Sequence, residues 1–311
     1  MMNLQFSAIA IIGPTGVGKT ALSLAVAQRF GCEIVSVDSM QVYRYMDVGT
    51  AKATPEERAL VPHHLLDVVD PDEEYNVARY IKDAGGVIDA IRQRGRVPLL
   101  VGGTGLYLRG LTQGLFEMSP CPESIRQQLR QRLEKEGGAA LFAELDRIDP
   151  HTASRIHAHD TCRLLRGLEI YQATGMSWSE HLARGRQNAV LPEVLKIGLT
   201  WDREKLYERI NRRVGQMVEE GLLAEVQSLL ARGYGPELKS MQAIGYRHMV
   251  EHLRGEHDWQ ETLELLARDT RRYAKRQYTW FRRDESIRWF EPVQEETILQ
   301  LIDKYLAVRQ V

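Results

Sequence analysis

Short apolar runs bounded by glycine or polar turns alternate, in the first third of the chain, with stretches whose apolar positions recur every three or four residues. The runs at 8–12, 33–37 and 97–101 read as strands buried on both faces. The stretch from Ala21 to Phe30 and that at 76–93 read as helices between them. Such alternation predicts an α/β fold with a parallel sheet core flanked by helices. From 114 to 192 only the helical period remains. In 122–136, for example, Ile125, Leu129 and Leu133 share a face from which Arg126, Arg130 and Arg132 are excluded. An all-helical insertion domain of residues 114–192 is therefore expected within a core built from 1–113 and 193–311. The run at 195–199 resumes the strand pattern. Asp202 is then placed to cap a helix whose apolar stripe is Leu206, Ile210, Val214 and Met217. After Gly221 the pattern is helical to about Arg283.

The turn after the first strand brings in the chemistry. Gly13, Pro14, Thr15, Gly16, Val17, Gly18, Lys19 and Thr20 form the pattern Gly-x-x-x-x-Gly-Lys-Thr between a strand and a helix. Glycines in that position let backbone N–H groups close around a phosphate at the positive end of the following helix. Lys19 neutralises phosphate oxygens there, and the Thr20 hydroxyl is the expected contact to a Mg²⁺ ion. The core is thus expected to be of the P-loop type. An ATPase or GTPase adds a second apolar strand ending in an aspartate that positions metal and water. The strand at 97–101 ends instead in Gly102-Gly103-Thr104-Gly105. The best-placed acid is Asp38, after the strand at 33–37, on the same sheet edge as the loop. That arrangement suits a base facing a phosphorylated substrate better than nucleotide hydrolysis. The polar stretch from Asp38 to Lys52 fits either a ligand-touching loop or ordinary turn chemistry.

Near the C-terminus, Arg271, Arg272, Lys275, Arg276, Arg282 and Arg283 surround aromatic rings with no acid among them. This segment fits a surface for a phosphate backbone with rings to stack bases, or an amphipathic helix that buries its rings and leaves its cations solvated. Both can hold at once. Overall, 41 basic residues against 42 acidic ones leave no global bias towards nucleic acid, so any basic surface is local. Three scattered cysteines, Cys32, Cys121 and Cys162, argue against a disulfide framework or a zinc site. The run at 8–12 leads straight into the phosphate loop and reads as a buried strand, not a signal peptide; no apolar run is long enough to span a bilayer.

Taken in order, the motifs resemble the tRNA dimethylallyltransferases, or isopentenyl-tRNA transferases, across essentially the whole chain. The resemblance rests on the loop at 13–20, on Asp38-Ser-Met-Gln-Val-Tyr-Arg44 with Met46-Asp-Val-Gly-Thr-Ala-Lys52, and on Val101-Gly-Gly-Thr-Gly-Leu-Tyr107. It continues through Asp160-Thr-Cys-Arg-Leu-Leu-Arg166, Gln242-Ala-Ile-Gly-Tyr-Arg247 and Lys275-Arg-Gln-Tyr-Thr-Trp-Phe-Arg282. No Cys/His module follows Arg283, which makes the resemblance one to the bacterial form.

The resemblance implies transfer of a dimethylallyl group from its diphosphate to N6 of adenine 37 beside the tRNA anticodon, with Mg²⁺. It implies catalytic roles for Asp38, as general base, Thr104 and Lys19, and a diphosphate contact from Arg213 besides the loop. It implies tRNA contact by Asp38, Ser39, Met40, Gln41, Thr104, Arg126, Cys162, Arg163, Leu164, Leu165 and Arg166. The same holds for Gln242, Ala243, Ile244, Gly245, Tyr246 and Arg247, and for Lys275, Arg276, Gln277, Tyr278, Thr279, Trp280, Phe281 and Arg282. Gln41 is expected to read the adenine or its neighbour, since an amide both donates and accepts. The insertion is expected to clasp the anticodon stem, and the protein to act as a cytoplasmic monomer. Rival readings are an adenylate isopentenyltransferase, a kinase using Asp38 to deprotonate a hydroxyl, and a non-catalytic RNA-binding protein.

Overall fold

Four strands form where the apolar runs lie: β1 (Ile9–Ile12), β2 (Cys32–Val37), β4 (Val97–Gly102) and β5 (Leu195–Leu199). The computed structural model, which describes residues 8–114, 121–184 and 189–308, adds two short edge strands, β3 (His63–His64) and β6 (Arg288–Phe290). All pair in parallel, in the order β3-β2-β4-β1-β5-β6. The helices are α1 (Lys19–Phe30), α2 (Pro55–Leu60), α3 (Val77–Gln93), α4 (Gly105–Gln113), α5 (Glu123–Ile148), α6 (Pro150–Ala153), α7 (Thr161–Thr174), α8 (Trp178–Arg184), α9 (Arg203–Glu219), α10 (Leu222–Ala231), α11 (Tyr246–Leu253), α12 (Trp259–Phe281) and α13 (Glu295–Val308). None of the described helices is long and apolar enough to cross a membrane.

Successive strand residues face opposite sides, and the core divides accordingly. Ala10, Ile12, Val35, Val37 and Leu100 pack on one side with Tyr80, Ile88 and Tyr107. Ile9, Ile11, Ile34, Leu99 and Ile197 pack on the other with Val26, Ile210 and Ile302. Asp202 caps α9 as expected, its carboxylate accepting from the Lys205 N–H at 2.9 Å. The stripe Leu206, Ile210 and Val214 is buried. The stretch expected to be helical from Gly221 to about Arg283 is three helices, interrupted at 232–245, where Gly233 and Gly245 adopt φ of 90° and 97°, and again at 254–258.

The chain divides into two compact units, residues 1–112 with 190–311, and residues 113–189. The far edge of the insertion thus lies before Val190 and not at Pro192. Leu191 is fully buried in the core of the first unit, and its N–H donates to Leu111 O at 2.9 Å. In the second unit α5 runs beyond the expected end at 136 and bends at Gly137 (φ 80°, ψ 162°). Its own core joins Leu129, Leu141 and Leu145 to Leu164 and Leu168.

Gly102 sits opposite Val37 in the sheet, and a Cβ there would lie 2.1 Å from Val37 O and 2.4 Å from its carbonyl carbon. Backbone cannot step aside as a side chain does. Gly102→Ala is expected to lower unfolding free energy by about 1–3 kcal/mol. Gly86→Ala, in α3 with nothing within 4 Å of the added carbon, is expected to raise it by about 1 kcal/mol. Urea midpoints for the pair check the packing, and equal shifts in the two variants would contradict it.

Candidate active site

The site grows from three neighbouring strand ends. Strand β4 lies between β1 and β2, and their register sets Ile12 and Val37 on either side of Gly102. The chain leaves these ends through the turns starting at Gly13, Asp38 and Gly103, so all three loops open on one sheet edge. In the first, Gly16 (φ 77°) and Gly18 (φ 110°) occupy the left-handed region that side chains rarely adopt. Gly18 provides the N-cap of α1 with no side-chain cap, and no acid stands in the first turn, so the helix start keeps N–H groups for an anion.

Two cations lie beneath this loop. Lys19 Nζ donates to Gly13 O at 3.0 Å and to Pro14 O at 2.8 Å. Burial, reinforced by the neighbouring Arg213 guanidinium and opposed by Asp38, lowers its pKa to about 7. Burial also depresses Arg213, with Asp38 pulling the other way, and its Nε is buried without a hydrogen-bond partner among the described residues. A buried N–H of this kind beside a lysine and a glycine loop fits an anion. Arg209, one turn earlier on α9, donates from Nε to Gly16 O at 2.9 Å and supports the loop from outside. Trp201 donates from its indole N–H to Val17 O at 3.1 Å. Sequence reasoning singled out Arg213 but missed Arg209; their four-residue spacing, which places both on one helix face, was the available signal.

Asp38 faces these cations. Its Oδ1 accepts from Met40 N–H at 2.8 Å in a local turn, so both turn and ligand readings of this carboxylate are compatible. Oδ2 has no hydrogen-bond partner among the described residues. Thr104 Oγ1 accepts from Ser39 N–H at 3.0 Å, and Thr104 N–H donates to Val37 O at 3.0 Å, which ties the second and third loops together. Tyr273 of α12, another residue not singled out before, sits at the same place. Its phenol is held neutral by burial first and by the Asp38 carboxylate second, and it interacts with the side chains of Thr104 and Gln277.

Several expected RNA contacts are committed elsewhere. The Gln41 amide accepts from Ser36 Oγ at 2.9 Å and donates to Thr50 O and Ala51 O at 3.2 Å each, so it organises its own loop and is not free to read a base. Met40 packs partly buried on the core. Tyr246 is fully buried, and its hydroxyl donates to Glu225 at 2.6 Å. The same carboxylate accepts from the N–H groups of Asp47, Val48 and Gly49 at 2.8, 2.8 and 3.1 Å, and the Tyr246 ring fills the space where Gly49 has no side chain. The motif ending in Gly245-Tyr246-Arg247 therefore braces the loop at 46–52. Gly245 is buried, Ala243 and Ile244 lie partly buried against the core, and Arg247 pairs with Asp269 at 3.0 Å; Gln242 remains exposed.

On α12 the rings turn inward. Phe281 is buried, and Trp280 covers Gly105, where a Cβ would strike the indole. Tyr278 stacks on Trp289 at 5.8 Å, accepts from the Trp201 N–H at 3.1 Å and pairs with the Thr200 hydroxyl. Gln277 is buried. These four residues are structural, whereas Lys275, Arg276, Thr279 and Arg282 are exposed, as are the further cations Arg272 and Arg283. The amphipathic reading accounts for the rings and leaves the cations outward. In the second unit Leu164 is fully buried and Leu165 packs against that core, so neither offers a surface for RNA. Cys162 and Arg163 are exposed, Arg163 pairs with Asp160, Arg166 with Glu169 at 3.1 Å, and Arg126 with Glu123 at 3.6 Å.

Comparison with known proteins agrees with this geometry. The family described as IPP transferase matches residues 41–284, and that described as isopentenyl transferase matches 6–65. The tRNA dimethylallyltransferase of Desulfotalea psychrophila is 47% identical over 306 residues, 98% of each chain. The chain belongs to the tRNA dimethylallyltransferase (IPP transferase) family. That of Desulforudis audaxviator is 49% identical over 284 residues, 91% of each chain. Among solved structures, the full-length tRNA isopentenylpyrophosphate transferase of Bacillus halodurans is similar with a TM-score of 0.72 and 41% identity, over 97% of both chains. A eukaryotic dimethylallyltransferase acting on tRNA is similar with a TM-score of 0.76 and 32% identity, over 89% of this chain and 70% of that one.

For a tRNA dimethylallyltransferase the depressed Lys19 has a measurable consequence. Above pH 7 the free protein loses the Lys19 proton, and an anion in the loop restores it. An organic diphosphate is therefore expected to bind at pH 8 with uptake of about one proton, and its affinity to fall by about tenfold per pH unit above 7. Calorimetry in two buffers of different ionisation enthalpy measures the uptake. Lys19→Met should abolish it, and wild-type protein that takes up no proton would contradict the assignment.

Proposed function

We propose that the chain transfers the dimethylallyl group of dimethylallyl diphosphate to N6 of adenine 37, beside the tRNA anticodon, and releases diphosphate. The observation that supports this most strongly is the juxtaposition of Asp38 with Lys19 and Arg213, a proton acceptor beside an anion cradle. An adenine amino group is a poor nucleophile because its lone pair is delocalised into the ring. Asp38 Oδ2 accepts a proton from N6 as nitrogen bonds to the allylic carbon, and Thr104 positions the acceptor next to it. The C–O bond to the diphosphate breaks in the same step. The N–H groups of Gly16 to Thr20, with Lys19 and Arg213, stabilise the charge that the leaving diphosphate gains.

The donor set fits a magnesium ion held chiefly by substrate. No cluster of three His, Cys, Asp or Glu that could form a metal cage occurs among the described residues, while the Thr20 hydroxyl lies in the first turn of α1. Magnesium is typically bound by one or two protein groups plus phosphate oxygens and water. When bound, Mg²⁺ neutralises part of the diphosphate charge.

Adenine 37 must leave its stack to reach Asp38. The exposed cations Lys275, Arg276 and Arg282, with Thr279, are proposed to hold the tRNA backbone, joined by Gln242 and by Arg126, Cys162, Arg163 and Arg166 of the insertion at the anticodon stem. These cations favour an RNA over a free nucleotide as acceptor. The protein is proposed to act as a monomer in the cytoplasm, where its three unpaired cysteines remain reduced.

Incubation with Mg²⁺, dimethylallyl diphosphate and unmodified tRNA, followed by digestion and mass spectrometry, tests the reaction. N6-dimethylallyladenosine is expected in tRNA and not in AMP, with kcat about 10²–10⁴-fold lower in Asp38→Asn. Product on AMP alone, or an Asn variant as fast as wild type, would contradict the assignment.

A further inference from the structure

Gln277 stands among the cations of α12, yet its amide points into the protein. It is 6% exposed. Its Oε1 accepts from Thr15 N–H at 2.9 Å, and its Nε2 donates to Gly103 O at 3.0 Å. One partner is only a donor and the other only an acceptor, so the amide orientation is fixed by the network. The first partner belongs to the anion loop and the second to the turn that carries Thr104.

The partners of this bridge are themselves held on both sides. Pro14 O takes Lys19, Thr15 N–H takes Gln277, and Gly16 O takes Arg209, so three consecutive loop residues are each held, the last two by side chains from outside the anion cradle. On the other side Gly103 precedes Thr104, whose hydroxyl holds the Ser39 N–H next to Asp38. A Cβ at Gly103 would lie 2.1 Å from Gln277 Nε2, so glycine there is what admits the amide. Trp280 closes over Gly105 one turn further along, and Tyr273 approaches Thr104 one turn before. Residues 273, 277 and 280 thus form one inward face of α12 packed along the turn 103–105.

We propose that Gln277 is a positioning residue that sets the spacing between the diphosphate loop and the Asp38–Thr104 pair. It touches neither substrate. Because α12 also presents Lys275, Arg276 and Arg282 to solvent, the same helix joins the proposed RNA surface to the donor cradle. The inference rests on the reaction assigned above, in which leaving group and base must be held at a fixed separation. Misplacement by about 1 Å costs up to about 10²-fold in rate.

Two variants test it. Gln277→Met keeps the length and removes both hydrogen bonds. Gln277→Glu keeps the acceptor for Thr15 N–H but, when ionised, sets a second oxygen against Gly103 O. Protonation restores a donor, so the Glu variant should recover at low pH. Both variants should bind tRNA within about twofold of wild type in filter binding, while kcat at saturating substrates falls by about tenfold or more. The ratio of Gln277→Glu to wild-type kcat should rise as the pH is lowered from 8 to 6. A variant pair with unchanged kcat, a loss confined to tRNA affinity, or a pH-independent ratio would overturn the proposal. Titration with a thiodiphosphate analogue separates this from the reaction itself. If wild type binds the analogue but modifies no tRNA, the functional reading fails. Weaker binding to both variants would then still support the bridge, and equal binding would refute it.

Discussion

The site depends on holding two like charges side by side. Lys19 and Arg213 are both desolvated, and the Arg213 guanidinium disfavours the charge on Lys19. Such a pair is costly in a low-dielectric setting unless an anion joins it. The surrounding architecture serves that arrangement. Glycines let the loop wrap without side chains, the carbonyls of Gly13 and Pro14 take the lysine, and Asp38 adds a counter-charge on the next strand but one. The Asp202 cap fixes the start of the helix that delivers Arg209 and Arg213 to the loop.

Helix α12 shows how one segment serves two ends. Its inward face binds the three loops through Tyr273, Gln277 and Trp280, and its outward face carries charge. Rings that look available to stack bases are consumed in packing and in hydrogen bonds to the first residues after β5. A second brace acts at Glu225, where one carboxylate satisfies three successive backbone N–H groups and the Tyr246 hydroxyl. That brace holds the loop at 46–52, which in turn receives the Gln41 amide. Fixing the loop behind Asp38 therefore draws on residues whose positions in sequence lie more than 170 apart.

The four central strands were legible because buried parallel strands are apolar throughout, and the anion loop was legible because few other functions need that glycine spacing. The two-residue β3 and three-residue β6 are too short to show a period. The helical break at 232–245 does carry a signal, Gly233 and Gly235 followed by Pro236, which the helical reading of this stretch passed over. Polar residues were the least legible. Gln41, Gln277 and Tyr246 stand in polar or basic stretches that suggest a surface, and only the folded chain shows which distant carbonyl, N–H or carboxylate each one meets. The cations of α12 were legible as outward because both readings of the segment, RNA surface and amphipathic helix, leave them in solvent, and Arg272, Lys275, Arg276, Arg282 and Arg283 are exposed. Arg213 was expected as a diphosphate contact from the resemblance, and its buried Nε without a hydrogen-bond partner among the described residues is compatible with that expectation.

The central claim is that the loop, Lys19 and Arg213 form a cradle for the diphosphate of a prenyl donor with Asp38 facing the allylic carbon. A crystal structure with dimethylallyl thiodiphosphate tests it most directly. The diphosphate is expected against the N–H groups of Gly16 to Thr20, with Lys19 turned from the Gly13 and Pro14 carbonyls towards phosphate oxygen, Arg213 Nε engaged, and the allyl chain directed at Asp38 and Thr104. A diphosphate bound away from Arg213, or an allyl chain leading away from Asp38, would contradict it.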